Sequence, residues 1–384
     1  MHLGGLVMGL SKIRLGDYLQ RSTLNNRELK YGEELIVGVN NTGVFTTPKG
    51  NISGVNLKPY KIVENGAFVY NPTRLDLGSI AYRTEGLCIV SHLYMIFYLN
   101  KEAKKIIDPQ WLFIYFRRTE FQREVTFRNF GSQRPEFNFE DMSDIIVPIP
   151  PLSIQKKYVA IYNAVLANQQ SYERGLEDLK LTCDAYIEEL RRNNPCVAIG
   201  TYLIPSDERN TLNLSTDSVR GLSVSKDMIK TKANMNGVSV VNYKIVPPKY
   251  IAYVSDTSRR GDKMSLGFNR TDKTFLVSSI STVFKTDTKY LLPEFLMLYI
   301  CRNEFDRYAR FHSWGSARET FDWEEMCDVK IPIPPIEIQK DIVDIYEVYL
   351  TRKEINEKLK NQIKDLCPIL IKGSIEEARK SKEA

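Results

Sequence analysis

The side chains that most often carry enzymatic chemistry are scarce in this sequence. Its only histidines are His2, His92 and His312, too few and too scattered for a histidine metal site or an imidazole acid–base pair. The six cysteines (Cys88, Cys183, Cys196, Cys301, Cys327 and Cys367) include no C-x-x-C pair and read as scattered thiols outside any repeat. That is the pattern of a reducing compartment, neither a disulfide framework nor a zinc site. Ser223-x-x-Lys226 has S-x-x-K spacing, but such spacing is common by chance and no companion motif stands with it. A G-x-x-x-x-G-K-[ST] phosphate loop and a G-x-G-x-x-G turn are both missing. The expectation is a chain without metal or catalytic residues of its own.

What remains is chemistry for binding: basic residues interleaved with amides and hydroxyls in loops. In the first part of the chain these are Lys58, Lys61, Asn71, Arg74, Arg83, Arg128, Ser132, Gln133 and Arg134. In the second they are Arg220, Lys232, Arg259, Arg260, Lys263, Arg270, Arg310, Ser316 and Arg318. Arginine and lysine suit phosphate, while arginine, asparagine and glutamine have the bidentate geometry for base edges. Taken singly, each is as readily plain solvated surface. Gly131-Ser132-x-Arg134 and Gly315-Ser316-x-Arg318 are the sharper candidates, since a Gly-Ser turn before a capped helix offers backbone N–H groups beside a guanidinium. A structural turn, with Arg134 paired to Glu136 or Glu140, fits those residues equally well. The net charge of +6 lies wholly within residues 1–150 and 195–335, the two intervening stretches being neutral, which weakly favours a polyanionic partner.

The elements that must position these residues come in duplicate. Residues 131–162, GSQRPEFNFEDMSDIIVPIPPLSIQKKYVAIY, return as GSARETFDWEEMCDVKIPIPPIEIQKDIVDIY at 315–346, an offset of 184. Leu15-Gly16-Asp17-Tyr18-Leu19 and Ile199-Gly200-Thr201-Tyr202-Leu203 extend the repeat towards both starts. Between these shared parts, residues 24–100 and 210–290 are sheet-rich, with turns at Asn40–Gly43, Pro48–Asn51 and Glu64–Gly66, and they share little identity. Asp108-Pro109 predicts a helix start, repeated at Pro293. Asn138 with Asp141, and Asp322 with Glu325, have capping-box spacing. Ile-Pro-Ile-Pro-Pro then forces an extended step, and its repetition before a helix marks a structural joint more than a ligand for an aromatic groove.

After each joint comes a long helix. The expected seam of the first is Ile154, Tyr158, Ile161, Val165, Tyr172, Leu176, Leu179, Cys183, Tyr186 and Leu190, with Asn168 in one place. That of the second is Ile338, Ile342, Ile345, Tyr349, Ile355, Leu359, Ile363 and Leu366, with Pro368 expected to end it. A helix of about forty residues extends about 60 Å. Two modules related by a pseudo-twofold axis would pair these helices antiparallel, as a spacer with two heads.

The length of 384 residues allows two domains with full cores, and 43% apolar with 26% charged residues is an ordinary globular composition. No apolar run reaches the roughly 18 residues of a membrane span. MHLGGLVMGL lacks a basic start and a clear cleavage site, so a cytoplasmic location is expected.

The doubled G-S-x-R…F-x-[FW]-x-[DE]-M-x-D…[IV]-P-I-P-P-[LI]-x-I-Q-K, each copy followed by a heptad helix, resembles the specificity subunit of type I restriction–modification systems. The resemblance covers essentially the whole chain. It implies an α+β fold of two tandem pseudo-symmetric modules, each a sheet-rich target-recognition domain plus a long helix, the helices forming an antiparallel coiled coil. The implied domains are recognition domains at 1–150 and 195–334 and conserved helical spacers at 151–194 and 335–384. Each recognition domain would read one half of a split target in double-stranded DNA, and the helices would set the gap and dock two methyltransferase subunits. Restriction subunits would complete some assemblies. S-adenosylmethionine and ATP belong to those partners, and this chain would bind no cofactor and no membrane. Two departures stand out: Ile154 and Ile338 replace the glutamate usual before the helix glutamine, and Ser91-His92-Leu93-Tyr94 is not reproduced at Ser278-Ser279-Ile280-Ser281. The other readings are a recognition subunit of a different multi-chain defence enzyme, and a coiled-coil interaction protein with no nucleic-acid role.

Overall fold

The computed structural model describes residues 10–48, 50, 52–129, 136–257, 263–315 and 319–383. By packing, the chain divides into two units: residues up to Tyr172 together with those from Ile355 onward, and residues Glu173–Glu354. Each unit therefore holds one module and pieces of both long helices.

In the first unit the strands are β1 (Ser11–Arg14), β2 (Leu19–Arg21), β3 (Gly38–Val39), β4 (Phe45–Thr46) and β5 (Lys61–Val63), then β6 (Phe68–Tyr70), β7 (Ile80–Tyr82), β8 (Cys88–Val90), β9 (Met95–Leu99) and β10 (Ile146–Ile149). An antiparallel sheet of order β2-β9-β6-β7 is flanked by the pairs β5-β8, β3-β4 and β1-β10. Its helices are α1 (Pro109–Phe116), α2 (Thr119–Arg128), α3 (Phe139–Ser143) and the start of α4 (Leu152–Asn193). Asp108 caps α1 as its sequence demands, accepting from Gln110 N at 2.9 Å and Trp111 N at 3.2 Å, and Asn138 with Asp141 closes a capping box on α3.

The second unit repeats this plan with β11 (Cys196–Ala198), β12 (Leu203–Ser206), β13 (Arg220–Leu222), β14 (Met228–Lys230) and β15 (Lys244–Val246), then β16 (Ile251–Val254), β17 (Leu266–Phe268), β18 (Phe275–Val277), β19 (Ser281–Thr286) and β20 (Lys330–Pro332). Its sheet order is β12-β19-β16-β17, with the pairs β15-β18, β13-β14 and β11-β20. The helices are α5 (Pro293–Ile300), α6 (Asn303–Phe311), α7 (Trp323–Cys327) and the start of α8 (Ile336–Glu383). The capping box expected at Asp322 does not form, because Glu325 accepts from Trp314 Nε1 at 3.0 Å and faces His312 Nδ1 at 3.2 Å.

The shared sequence proves to be a joint. β10 and β20, cut from the proline stretches, pair back onto the first strand of their own module. Gln155 and Gln339, both fully buried, then lock each helix start to the module. Gln155 accepts from Asp108 N at 2.8 Å and donates to Ile106 O at 2.8 Å and Pro150 O at 2.6 Å. Gln339 accepts from Leu292 N at 2.9 Å and donates to Tyr290 O at 2.7 Å and Pro334 O at 2.8 Å. The Gly16/Gly200 repeat has the same kind of cause: a Cβ at either would stand 2.8 Å from Ser143 Cβ or 2.7 Å from Cys327 Cβ, under α3 or α7.

Helix pairing is antiparallel within each unit. In the first, Lys157 and Tyr158 of α4 meet Glu377 of α8, at 2.8 and 3.1 Å, while Gln169 Nε2 donates to Asn356 Oδ1 at 2.9 Å. In the second, Gly175 lies beside Arg352, and Tyr186 and Leu190 share a groove with Ile338 and Ile342. The seam differs from the expected row. Ile161 and Ile338 are each 43% exposed, as is Tyr186, and Asn168 faces outward. The buried row on α4 runs Gln155, Val159, Tyr162, Gln169, Cys183 and Ile187, about one residue along. Ile154 and Ile342 are buried; Tyr158, Val165, Tyr172, Leu176, Leu179, Ile345, Tyr349, Leu359 and Leu366 sit half-buried at its margins. Glutamines that find partners displace aliphatic residues from the centre of the contact.

Two further expectations are corrected. Pro368 does not end α8, which continues to Glu383. A proline inside a helix costs about 3 kcal/mol, but Leu370, Ile371 and Ala378 beyond it are buried with the first module, where Trp111 Nε1 donates to Ser374 Oγ at 3.1 Å. Cys183 and Cys367 do follow the 184-residue repeat: each is a small buried thiol packed in the same cluster as Tyr346 or Tyr162, its pKa pushed up by burial, that of Cys367 to about 11. All six cysteines are free, and no described helix is long and apolar enough to cross a membrane.

Candidate nucleic-acid interface

Of the described candidate binding residues of the first module, Lys58, Asn71, Arg74 and Arg83 sit on loops between β4 and β8, Lys61 on β5 and Arg128 on α2, and several have tasks within the fold. Lys61 on β5 is half-buried and donates through Nζ to Tyr94 O at 2.6 Å, tying its strand to the 91–94 turn. Burial first, and then the nearby Arg21, push its ammonium below the ordinary lysine range. Arg83 stacks over Phe45 at 5.3 Å and reaches Leu87 O at 3.4 Å. Asn71 shapes the 71–79 loop by accepting from Thr73 N at 3.1 Å and Thr73 Oγ1 at 2.9 Å. Arg128 pairs with Glu124 at 2.8 Å on α2. Lys58 and Arg74 are exposed, with no carboxylate in ion-pair range among the described residues.

In the second module Arg220 folds back over Phe275 at 4.1 Å and donates to Asp217 O at 2.8 Å and Val219 O at 3.0 Å. Arg270 pairs with Glu347 at 2.7 Å, and Arg310 pairs with Glu319. Lys232 and Lys263 are exposed. Ser132, Gln133, Arg134, Arg259, Arg260, Ser316 and Arg318 lie outside the described residues, so that of the two G-S-x-R copies Gly315 alone is described.

Sequence reasoning missed the cations that hold these loops from beneath. Arg117, at the C-terminal end of α1, is buried and donates to Asn41 O at 3.1 Å, in the β3–β4 turn, and to Gly78 O in the 71–79 loop. Burial pushes its pKa down, and no carboxylate pairs with it among the described residues. In the second module Lys226, in the β13–β14 turn, pairs with Asp306 of α6; their side chains are 4% and 7% exposed. Lys226 Nζ also donates to Met264 O at 3.1 Å, and Asp306 accepts from Met264 N at 3.0 Å. Ser223 Oγ meanwhile bonds Ser225 Oγ at 2.8 Å and Asp227 O at 3.0 Å, so the S-x-x-K spacing brings no nucleophile to a base.

Also missed is a groove of about 830 Å³ beside β2, lined by Gln20, Arg21, Ser22, Asn25, Arg27 and Tyr98 among others. The legible signal was the run Arg21-Ser-Thr-Leu-Asn-Asn-Arg27, basic residues alternating with amides and hydroxyls directly after a strand.

Residues 12–179 and 226–365 match the family model described as the type I restriction modification DNA specificity domain. Among solved structures, the type I restriction–modification S subunit from M. genitalium aligns with a TM-score of 0.57 at 10% identity, covering 97% of this chain and 98% of that one. The HsdS subunit from Thermoanaerobacter tengcongensis aligns at 0.39 and 16% identity, over 96% and 97% of the two chains. A chain from a study of complex assembly and conformational transition in a type I R-M system aligns at 0.48 and 16%, over 97% and 99%. At these identities the likeness is one of fold, and the M. genitalium structure carries it. No curated protein matches the chain.

Proposed function

Because the chain belongs to the type I restriction–modification DNA specificity family, we propose that it is the subunit by which such a complex reads a bipartite DNA target. Each module would recognise one half-site, with recognition domains at 1–150 and 195–334 and spacers at 151–194 and 335–384. Helices α4 and α8 would set the gap and dock two methyltransferase subunits, which would bring S-adenosylmethionine; ATP would enter with restriction subunits. The observation that carries this reading is the contrast within each module. The Gln155 and Gln339 joints make the same three bonds, whereas the loops over the sheets differ in sequence and in how they are held. A scaffold shared by two halves with unlike loops suits a reader of two unlike half-sites. The exposed Lys58, Arg74, Lys232 and Lys263 would contact phosphates, and the amide-bearing loops the base edges.

The test is co-expression with the methyltransferase partner and sequencing of modified adenines. A bipartite motif is expected, and a single continuous motif, or no modification, would refute the reading. Inserting one heptad into each of α4 and α8 should widen the gap between unchanged half-sites, since a heptad adds about 10 Å.

A further inference from the structure

The two modules treat one lysine differently. Lys61 and Lys244 occupy the same place, each bridged to the segment after the first sheet strand, Asn25 to Lys61 and Arg209 to Lys244. In the second module Asp207 stands between two cations, 2.7 Å from Lys244 and 2.9 Å from Arg209, and the charge is closed within the chain. At the position of Asp207 the first module has Thr23. Lys61 consequently has no carboxylate partner among the described residues, and Arg21 stands close enough for its field to act on it. The nearest carboxylate to Arg21 is the exposed Glu140, at 3.9 Å. Arg27 lines the adjoining groove, where Glu28 is taken by Lys30 at 2.6 Å and Glu64 is the other carboxylate. A half-buried lysine whose Nζ donates only to the Tyr94 carbonyl among the described residues, beside a groove lined by two arginines and with Thr23 where the second module has Asp207, favours an anion from outside.

We propose that the groove beside β2, lined by Arg21 and Arg27 and bordered by Lys61 through its neighbours Asn25 and Ile62, holds a DNA backbone phosphate in the first module, and that Asp207 closes the corresponding place in the second. The inference rests on the chain being a DNA-recognition subunit. It adds that the two modules grip the duplex unequally, the first making a phosphate contact at a place where the second makes none. The hydroxyls of Ser22 and Thr23 and the side-chain amide of Asn25, which line the groove, supply further donors to the phosphate oxygens.

The test uses the full chain assembled with its methyltransferase subunits and a duplex carrying the target, with affinity followed across a salt titration. Lys61→Met should lower the slope of log affinity against log salt by about one, and Lys61→Arg should restore it. Thr23→Asp, which installs the carboxylate of the second module, should lower the slope as much while the methylated sequence stays the same. Lys244→Met should leave the slope unchanged. If Lys61→Met lowers the melting temperature, Thr23→Asp and Lys61→Arg still decide. Unchanged slopes in Lys61→Met and Thr23→Asp complexes that bind, or an equal loss in Lys244→Met, would overturn the proposal alone. Failure of the unsubstituted complex to bind duplex would overturn it together with the reading beneath it.

Discussion

One carbonyl position receives a buried cation in both modules, and the cation arrives from opposite sides. Strand pairing places Gly78 of the first module where Met264 stands in the second. Gly78 O accepts from Arg117, which the helical layer sends down into the loops; Met264 O accepts from Lys226, which the β13–β14 turn sends towards the helices. In the first module only carbonyls accept from the guanidinium among the described residues, while in the second a helix carboxylate, Asp306, completes an ion pair. Both arrangements fasten the same hairpin and the same loop to the helices. The fold therefore fixes where a pin is needed and leaves open which element supplies it, so loops can diverge without losing their anchorage.

This comparison predicts unequal costs. Asp306→Ala should be the most damaging single change, about 3–5 kcal/mol, because it strands the Lys226 ammonium in a dry site. The double variant Lys226→Met/Asp306→Leu should lose far less, since an apolar pair leaves no charge behind. The readout is urea unfolding by tryptophan fluorescence, with Trp111 reporting the first module and Trp314 and Trp323 the second. A double variant as unstable as Asp306→Ala would show that packing, and not charge, sets the cost.

The joint should respond symmetrically where the pins do not. Gln155→Leu and Gln339→Leu each strand two carbonyls and one N–H, and each should cost about 3 kcal/mol in its own module. Unequal losses would mean that the joints differ in ways their bond lengths hide. Arg117→Met comes next, at about 2 kcal/mol: it abandons the carbonyls of Asn41 and Gly78 but also removes a buried charge with no carboxylate partner. A cost matching that of Asp306→Ala would break the contrast between the two pins.

These ranks also explain what was legible in the sequence. The joint was legible because it repeats and because its signals are local: Asp108 caps within three residues, and the proline run admits only extended backbone. The helix seam was misplaced by about one residue because aliphatic positions were weighted over glutamines. Gln155 and Gln169 belong in the buried row through partners far along the chain, Ile106 O and Asn356 Oδ1. Pro368 looked like a stop because the burial of Leu370 and Ile371 against the first module is a tertiary effect. The pins were invisible for the same reason, Lys226 and Asp306 being joined across 80 residues that the first module does not mirror. The β2 groove was readable as composition, yet only Asp207 at the corresponding place shows why Thr23 matters.

The smallest expected effect concerns the arginine that follows the first helix of each module. Arg118 stacks over Tyr115 at 3.7 Å, while Arg302 reaches α4 and pairs with Glu188 at 2.6 Å. That hydrogen bond holds the Glu188 carboxyl below its ordinary value of 4.5. A carboxyl whose folded pKa is depressed adds stability that is fully present above the ordinary value and vanishes as pH falls through the depressed one. The Glu188 side chain is 42% exposed, so solvent screening limits its contribution to less than about 1 kcal/mol. Wild type and Glu188→Gln should therefore differ by a small, constant amount at neutral pH, followed in the fluorescence of the second module. The difference should shrink below the ordinary glutamate range, and Arg302→Gln should reduce it, leaving the smaller share of the Arg191 pair at 3.4 Å. A difference that persists unchanged into acid would mean that Glu188 acts by packing, and the two arginines would then differ in position alone.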